Sequence, residues 1–432
     1  MAEPLPFSLK VYRLATRAVG PFVGIWLRKR LKDGKEIGNR LQERLGHSDL
    51  ARPEGTLIWL HSASVGETNA ILPLIHRIAL RFPTVSLLLT TVTVTSAEIA
   101  AKKLPEGARH QFAVLDTPRA VRSFLDHWQP DLAVFAESEI WPNMLLDLNR
   151  RGIPAVMING RMSDRSFTRW KYAPKTIGWL LSAFTVCLVQ SQTDLRRFKA
   201  LGATHAVATG NVKFDVPAPD ASPMDMAAFR NAIGDRPVWV AASTHPGEEA
   251  IVLEAHQRVQ RAFPTLLTMI VPRHPERGLS VLSLARKRGL RASLRSAQRQ
   301  PGKGDQVFVF DSIGELGLAY RLCDVAFIGG SLAKRGGQNP IEPAKLKTAI
   351  LHGPATFNFS DAYAALADGG GAEQVDGPLK MAQSLERLIS NPAARQLRAS
   401  AAAKAIEPLG GALEKSYAVL STYITEASGK HS

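Results

Sequence analysis

Short apolar runs alternate with amphipathic stretches along the first half of the chain. The runs are five to seven residues long and rich in branched side chains, as is typical of strands buried in a sheet. The stretches at residues 118–128 and 142–151 begin with proline, which is favoured in the first turn of a helix. Strands are predicted at residues 57–61, 85–91, 111–115, 131–136, 155–159, 186–190 and 206–210. This alternation predicts a mostly parallel sheet with helices on both faces.

The alternation stops at residues 216–223, where three prolines occur in eight residues, and then starts again. Such a proline-rich stretch is typical of a domain boundary. Further strands are predicted at residues 238–242, 266–271, 307–311, 325–329 and 349–352. The whole pattern predicts an α/β protein of two doubly wound, Rossmann-like domains that face each other across a cleft, a usual place for a ligand.

We expect five segments along the chain. These are an N-terminal segment at residues 1–50, the first domain at 51–216, a linker at 217–223, the second domain at 224–405 and a C-terminal helix at 406–432. We expect the N-terminal segment to include the start of the first domain, and the C-terminal helix to pack back on that domain.

Composition narrows the class of protein. At 432 residues, with 45% hydrophobic and 21% charged residues, the chain is a globular protein large enough for two domains. Its two cysteines, Cys187 and Cys323, cannot form a disulfide framework or a zinc site, which favours a reducing, cytosolic compartment. The net charge of +16 favours an anionic partner: nucleic acid, an acidic membrane surface or a phosphorylated substrate.

The distribution of charge near the N-terminus favours a membrane surface. Residues 18–27 carry no charge and contain Phe22 and Trp26. Four cations follow directly: Arg28, Lys29, Arg30 and Lys32. The uncharged stretch is too short to cross a bilayer, which takes roughly 20 apolar residues, but it suits a helix lying in the interface of an anionic leaflet. The alternative is an amphipathic helix packed on its own domain.

The loop HSASVGE at residues 61–67 connects the first predicted strand to an amphipathic helix. Its small side chains would let a substrate approach the backbone, and ligands of open α/β sheets bind at the carboxyl ends of strands. Glu67, in the first turn of that helix, is therefore a candidate general base. The alternative is an acid that only stabilises the helix through the helix dipole.

Other charged residues follow strands of the same domain. Because side chains alternate along a strand, Glu137 and Glu139 are expected on the same side, where like charges would raise one pKa and keep a proton donor available. The alternative is two acids stabilised by the dipole of the next helix. Arg161 and Lys213 supply cations at the same edge. A cleft lined by Glu67, Glu137, Arg161 and Lys213 suits group transfer from an activated donor to an acceptor.

Three loops at strand ends in the second domain indicate a nucleotide site. Arg273 and His274 follow the strand at 266–271, and glycine-containing loops at 311–316 and 329–342 open helices. Helix N-termini behind such loops are ready-made phosphate sites. The segment from Asn339 to Glu342 taken alone is also an ordinary helix start, with an Asn cap and Pro at the first position.

Nine motifs together resemble one family. They are HSASVGE (61–67), TTVTVTS (90–96), ESEIWPN (137–143), INGRMSDRS (158–166), GNVKFD (210–215), ASTHPGEE (242–249), PRHPER (272–277), DSIGEL (311–316) and GGSLAKRGGQNPIEPA (329–344). In this order they are similar to those of the bacterial 3-deoxy-D-manno-octulosonic acid (Kdo) transferases of glycosyltransferase family 30. The resemblance covers residues 40–360 and implies a GT-B fold, with the acceptor site in the N-terminal domain and the CMP-Kdo site in the C-terminal one.

The resemblance also implies roles for single residues. Glu67 matches the family's proton acceptor, and Glu137 and Lys213 match residues that stabilise the transition state. The CMP-binding residues that it implies are Pro272, Arg273, Ile313, Gly314, Glu315, Asn339, Pro340, Ile341 and Glu342. The chain departs from the family pattern at Ser96, Gly160, Ser312, Ile313 and Gln338, and none of these is a matched catalytic residue.

The activity that the resemblance implies is transfer of Kdo from CMP-Kdo to the lipid A precursor, at the cytoplasmic face of the bacterial inner membrane. We expect an inverting reaction without metal or other cofactor, because the leaving group is a monophosphate that cations and helix N-termini can neutralise. The partners are then the donor, the lipid acceptor and an anionic membrane surface. Nucleic acid is not expected, since no stacking platform or binding motif is present. The alternative enzyme is another GT-B lipid glycosyltransferase, such as a lipid disaccharide synthase that uses a UDP-sugar.

Overall fold

A computed structural model describes residues 4–298 and 300–430, so that residues 1–3 and 431–432 of the expected terminal segments lie outside the described residues. The chain forms two compact units, Met1–Val216 with Gly410–Ser432, and Pro217–Leu409. Each unit contains a sheet of seven strands, all paired in parallel.

The strands of unit 1 are β1 Leu57–Ser62, β2 Ser86–Thr91, β3 Arg109–Phe112, β4 Leu132–Ala136, β5 Ala155–Gly160, β6 Val186–Val189 and β7 Ala206–Ala208. Its first nine helices are α1 Phe7–Val19, α2 Val23–Lys32, α3 Val65–Arg81, α4 Val94–Lys103, α5 Pro118–Trp128, α6 Pro142–Arg150, α7 Asp164–Trp170, α8 Pro174–Ser182 and α9 Gln192–Ala200. Short 3-10 helices cover Gly20–Phe22, Gly38–Leu45 and Val212–Phe214. The sheet order is β3-β2-β1-β4-β5-β6-β7.

The strands of unit 2 are β8 Val238–Thr244, β9 Leu267–Pro272, β10 Ala292–Leu294, β11 Val307–Val309, β12 Val325–Ile328, β13 Ala349–His352 and β14 Ala372–Gln374. Its helices are α10 Pro223–Ile233, α11 Glu248–Val259, α12 Gly278–Lys287, α13 Leu316–Leu322, α14 Ile341–Lys345, α15 Ser360–Asp368, α16 Pro378–Ser390 and α17 Pro392–Ile406. Short 3-10 helices lie at Pro275–Arg277 and Glu407–Leu409, and α18 Ala412–Ser428 returns to unit 1. The sheet order is β10-β11-β9-β8-β12-β13-β14.

Both faces of the unit 1 sheet are buried. Trp59 of β1 packs into an apolar cluster with Phe124 of α5, whereas its neighbour Leu60 packs into a second cluster on the opposite face. Leu420 and Ile424 of α18 are buried in that second cluster, so the C-terminal helix covers one face of the sheet. Because side chains alternate across a strand, burial on both faces produces the continuous apolar runs seen in the sequence.

Several strand predictions need correction, among them the strand at 206–210, which ends at Ala208. The third strand ends at Phe112 rather than residue 115, because the Leu115 N–H donates to the carbonyl of Arg44 outside the sheet. The strand predicted at 307–311 ends at Val309. Strands β10 and β14 were not predicted, since each has three residues and includes polar ones, too few for a periodic signal.

Candidate active site

In unit 1 the order in which the chain adds strands to the sheet reverses between β1 and β4, and we call this point the strand reversal. From β1 the chain builds the sheet outward through β2 and β3, and then returns to place β4 on the other side of β1. Ligands of doubly wound sheets bind outside the carboxyl ends of the strands at this point of reversal. Glu67 follows β1 and Glu137 follows β4, so these two predicted site residues flank the expected binding crevice.

Glu67 is held by the start of its own helix. Ser64 caps α3, and its hydroxyl accepts a hydrogen bond from the Glu67 N–H (3.3 Å). In return the Glu67 carboxylate accepts from the Ser64 hydroxyl and from the Ala63 N–H, each at 2.7 Å. Ser64 and Glu67 thus form a variant of the capping box, in which the Ala63 N–H takes the place of the Ser64 N–H, and this fixes the carboxylate in place.

The environment makes Glu67 a stronger base than an exposed carboxylate. Its exposed fraction is 7%, and this burial is the main cause that raises its pKa. The hydrogen bonds from Ser64 and Ala63 lower the pKa in part, whereas the charges of Glu137 and Glu139 raise it further.

Glu137 and Lys213 form an ion pair across the sheet edge, with Lys213 Nζ 2.6 Å from Glu137 Oε1. Lys213 lies in the 3-10 helix after β7, where the Asn211 side chain accepts from its N–H (3.0 Å). Glu137 adopts a left-handed backbone conformation (φ 58°), which is uncommon for a residue other than glycine and tends to occur at functional sites. The structure therefore brings together two residues that the sequence only placed at the same edge.

Glu139 and Glu137 have different partners, although the charges of both act on Glu67, and the strand alternation that we expected to place them on one side does not apply to them. β4 ends at Ala136, and the left-handed Glu137 breaks the alternation of side chains. Glu139 accepts from the Trp141 ring N–H (2.6 Å) and lies 3.8 Å from His61 Nε2. Burial alone would raise the pKa of Glu139, but His61 and Trp141 hold it below its usual range.

His61 is a residue that the sequence reasoning missed. It is buried at the end of β1, and its Nδ1 lies 2.9 Å from the Thr90 hydroxyl of β2. Its only sequence signal is a polar residue inside an otherwise apolar strand. Arg161, by contrast, is exposed after β5, and its backbone N–H and carbonyl both bond to the Ser138 hydroxyl.

In unit 2 the order in which the chain adds strands reverses between β8 and β12. The predicted nucleotide residues lie around that point. Pro272 is the last residue of β9, the neighbour of β8, and Arg273 follows it, with its N–H donating to the Thr244 carbonyl (3.0 Å). The Arg273 side chain is exposed. Its guanidinium is therefore accessible to a phosphate at the carboxyl edge of the sheet.

The loop after β11 exposes an apolar side chain and a piece of backbone to solvent. Ile313 is 79% exposed, and Gly314 has a left-handed φ of 89° that disfavours other residues. Glu315 is already bound: its carboxylate accepts from Arg295 Nε (2.7 Å) and from the Ser312 hydroxyl. Of the three residues predicted here, Ile313 and Gly314 are thus the ones open to a ligand.

Asn339 and Glu342 contact each other at the start of α14. Asn339 Oδ1 accepts from the Ile341 N–H (3.0 Å), and its amide nitrogen donates to Glu342 Oε1 (3.1 Å). Burial raises the pKa of Glu342, and the hydrogen bond from Asn339 opposes this shift. The helix begins at Ile341, with Pro340 before it, rather than at the proline as the sequence alone suggested.

Two kinds of feature are absent from the described residues. Within residues 4–298 and 300–430, no helix is long and apolar enough to span a membrane. That part of the chain also brings together no group of three His, Cys, Asp or Glu side chains that could hold a metal ion.

Known proteins resemble the chain over most of its length. A family model described as 3-deoxy-D-manno-octulosonic-acid transferase (kdotransferase) matches residues 39–216. A 3-deoxy-D-manno-octulosonic acid transferase of Haemophilus influenzae is 33% identical over 390 residues, which are 89% of this chain and 91% of the relative. A probable mitochondrial 3-deoxy-D-manno-octulosonic acid transferase of Arabidopsis thaliana is 33% identical over 398 residues, covering 89% of each chain.

The fold has relatives among solved structures. A glycosyltransferase from Rickettsia africae ESF-5 matches with a TM-score of 0.57 at 11% identity, covering 86% of this chain and 99% of that chain. At this identity the likeness concerns the fold alone, and it confirms the predicted α/β fold of the GT-B type. The two relatives that are 33% identical over 89% of the chain identify it as a member of the 3-deoxy-D-manno-octulosonic acid (Kdo) transferases, a family of glycosyltransferases.

Proposed function

We propose that this enzyme transfers Kdo from CMP-Kdo to the lipid A precursor, with inversion at the anomeric carbon and without a metal ion. The observation that carries the proposal is the group formed by Glu67, Glu137 and Lys213 at the strand reversal of unit 1. Direct displacement by a sugar hydroxyl requires one base near the hydroxyl and a fixed charge near the reacting centre, and this group offers both.

Glu67 is the proposed general base. It takes the proton of the acceptor hydroxyl while the hydroxyl oxygen forms a bond to the anomeric carbon of Kdo. The bond from that carbon to the phosphate oxygen breaks, and its electron pair leaves with CMP. Attack from the side opposite to the phosphate inverts the anomeric centre. One base is enough, because CMP leaves as an anion that needs no proton, and burial of Glu67 favours proton uptake.

Glu137 and Lys213 are proposed to stabilise the transition state. The 2.6 Å ion pair holds the Lys213 ammonium in one place, although both side chains remain partly exposed. A cation fixed in advance stabilises developing negative charge without the cost of reorientation during the reaction. Asn211, whose side chain accepts from the Lys213 N–H, supports the backbone of this lysine.

CMP is proposed to bind unit 2. Arg273 is proposed to contact the phosphate, and the half-buried Glu342 with Asn339 is proposed to supply polar groups for the nucleoside. Ile313 and Gly314 would contact the nucleoside through an apolar side chain and open backbone. A departing monophosphate lacks the pyrophosphate that Mg²⁺ usually bridges, which supports a reaction that relies on cationic side chains instead.

The enzyme is proposed to bind the cytoplasmic face of the inner membrane through α1 and α2. Three contacts hold one side of α1 on unit 1: Tyr12 to Asp116 (2.9 Å), Arg13 to Asp147 (3.0 Å) and Thr16 to Asn143 (3.0 Å). The other side and the next helix expose large apolar side chains, among them Phe7 (80% exposed), Leu14 (69%) and Ile25 (67%). Such a face, next to cations, suits the interface of an anionic bilayer.

The cations of α2 do not all have the same role. Arg28, Lys29 and Lys32 are exposed, whereas Arg30 donates to the buried Glu36 (2.7 Å) and lies over the Trp26 ring. We therefore propose that three cations face the lipid, and that Arg30 holds the end of α2 on unit 1.

Competition between nucleotides tests the proposed donor. Transfer from CMP-Kdo should be inhibited by CMP and spared by the same concentration of UDP, because the donor site is proposed to be built for the cytidine monophosphate. Inhibition by UDP but not CMP would instead favour a lipid glycosyltransferase that uses a UDP-sugar.

A further inference from the structure

One buried carboxylate ties together the two loops at the strand reversal of unit 2. Glu248, in the first turn of α11, is 1% exposed and accepts hydrogen bonds from four backbone N–H groups. The donors are His245 (2.8 Å), Gly330 (2.8 Å), Leu332 (2.9 Å) and Ala333 (3.2 Å). His245 follows β8 and the other three follow β12, so Glu248 fixes both loops that flank the expected ligand crevice.

The ends of β8 and β12 also press against each other. A Cβ atom at Gly329 would lie 2.5 Å from the Ser243 carbonyl oxygen, and Ser243 itself has a left-handed φ of 55°. Both features limit how these loops can move, so the His245 backbone is held from two sides. Its half-buried ring lies with Nε2 3.2 Å from the side-chain nitrogen of Gln338.

A second histidine, two arginines and Glu248 surround the ring of His245. The ring packs edge-on against His274 at 6.1 Å between centroids, and Arg273 and Arg335 also act on its charge. Burial, followed by these three residues, lowers the pKa of His245, while Glu248 opposes the shift. Because Glu248 is occupied by four N–H groups, the local surface is left attractive to anions.

We propose that His245 is a further donor-binding residue, which hydrogen-bonds an anionic oxygen of CMP-Kdo at the β8–β12 crevice. The inference rests on the proposed function, in which CMP-Kdo is the donor. That donor has two anionic groups, the phosphodiester and the Kdo carboxylate, whereas the CMP-binding residues that the family resemblance implies include one cation, Arg273. A ring N–H at His245 supplies a second polar contact beside it.

The test compares wild type with His245→Ala and His245→Asn. For each protein, calorimetry measures the affinities for CMP and for cytidine, and initial rates give the KM for CMP-Kdo. A hydrogen bond to a charged group corresponds to about a 10- to 100-fold loss in affinity. If the ring binds the phosphate, His245→Ala loses CMP affinity by this factor and keeps its cytidine affinity. If it binds the Kdo carboxylate, CMP affinity is kept, KM rises and kcat is unchanged. His245→Asn, which retains an N–H donor, should recover part of either loss.

The control is Arg258→Ala, which changes an exposed cation at the far end of α11, about 15 Å along the helix from Glu248. It should leave both measurements at the wild-type values. CMP affinity and KM within twofold of wild type in His245→Ala would overturn the inference. If wild type binds no CMP, or Arg273→Ala binds it as well as wild type, the proposed donor site itself fails, which is a different outcome.

Discussion

Replacement of Glu67 by Gln separates catalysis from folding. The amide is nearly the same size as the carboxylate, and either residue can complete a capping box. In the variant the amide oxygen can accept from the Ala63 N–H and the amide nitrogen can donate to the Ser64 hydroxyl, so both present contacts have a replacement. The change therefore removes the base while keeping the start of α3.

The expected loss of rate is large. Removal of a general base typically costs 10²–10⁴-fold, or about 3–5 kcal/mol in the activation barrier. Wild-type activity should also fall as the pH drops through the pKa of Glu67, which burial raises above its ordinary value, because only the ionised carboxylate accepts a proton. Glu67→Gln should lack this limb of the pH profile.

Although Glu67→Gln should lose activity, it should be as stable as wild type or more stable at neutral pH. A carboxyl group with a raised folded-state pKa contributes stability that is present below its unfolded pKa and is lost as the pH rises through the folded one. At neutral pH the ionised Glu67 therefore lowers the free energy of unfolding. Glu67→Gln should unfold at the same temperature as wild type or a higher one at pH 7, and this difference should shrink in acid.

Initial rates of Kdo transfer and thermal unfolding, each followed from pH 5 to 8, measure both effects. Glu98→Gln, on the exposed side of α4, is the matched control and should behave as wild type. Activity of Glu67→Gln within about threefold of wild type would refute the role of Glu67 as base. A lower unfolding temperature with normal activity would mean that the carboxylate serves only to cap the helix.

Three further predictions concern the donor, metal and membrane. Arg273→Ala and Glu342→Ala should each weaken CMP binding in calorimetry by about 1.5–3 kcal/mol with acceptor binding spared, and unchanged affinity in both would place the donor site elsewhere. EDTA should leave the rate of transfer intact, whereas a loss that Mg²⁺ restores would contradict the metal-free reaction. Combined replacement of Arg28, Lys29 and Lys32 by Gln should weaken the free energy of membrane binding by about 1 kcal/mol per cation, which liposome flotation measures. Flotation equal to wild type at low salt would contradict the membrane role.

The fold could be predicted from the sequence because its strands are buried on both faces. All six residues of β1 and all five of β4 are buried, so that β4 is apolar throughout and β1 is apolar from Leu57 to Leu60. The three-residue strands β10 and β14 at the sheet edges lack such a run. Their pairing depends on neighbours that are distant in sequence, which local pattern does not reveal.

The candidate site was predictable in its residues and less so in its contacts. Glu67 stands out because its capping partner, Ser64, is three residues away. The Glu137–Lys213 ion pair depends on where β4 and β7 end in the assembled sheet, and on the left-handed Glu137 that no local pattern indicates. The four hydrogen bonds of Glu248 likewise join loops that are far apart in sequence.

Mass spectrometry of the product tests the central claim most directly. Purified enzyme is incubated with CMP-Kdo and a tetraacyl lipid A precursor in the presence of EDTA, and lipid and nucleotide are both measured. We predict a lipid that is heavier by whole Kdo residues, with one CMP released for each Kdo transferred. Unmodified lipid under these conditions, from enzyme that modifies the same lipid when supplied with a UDP-sugar, would contradict the account.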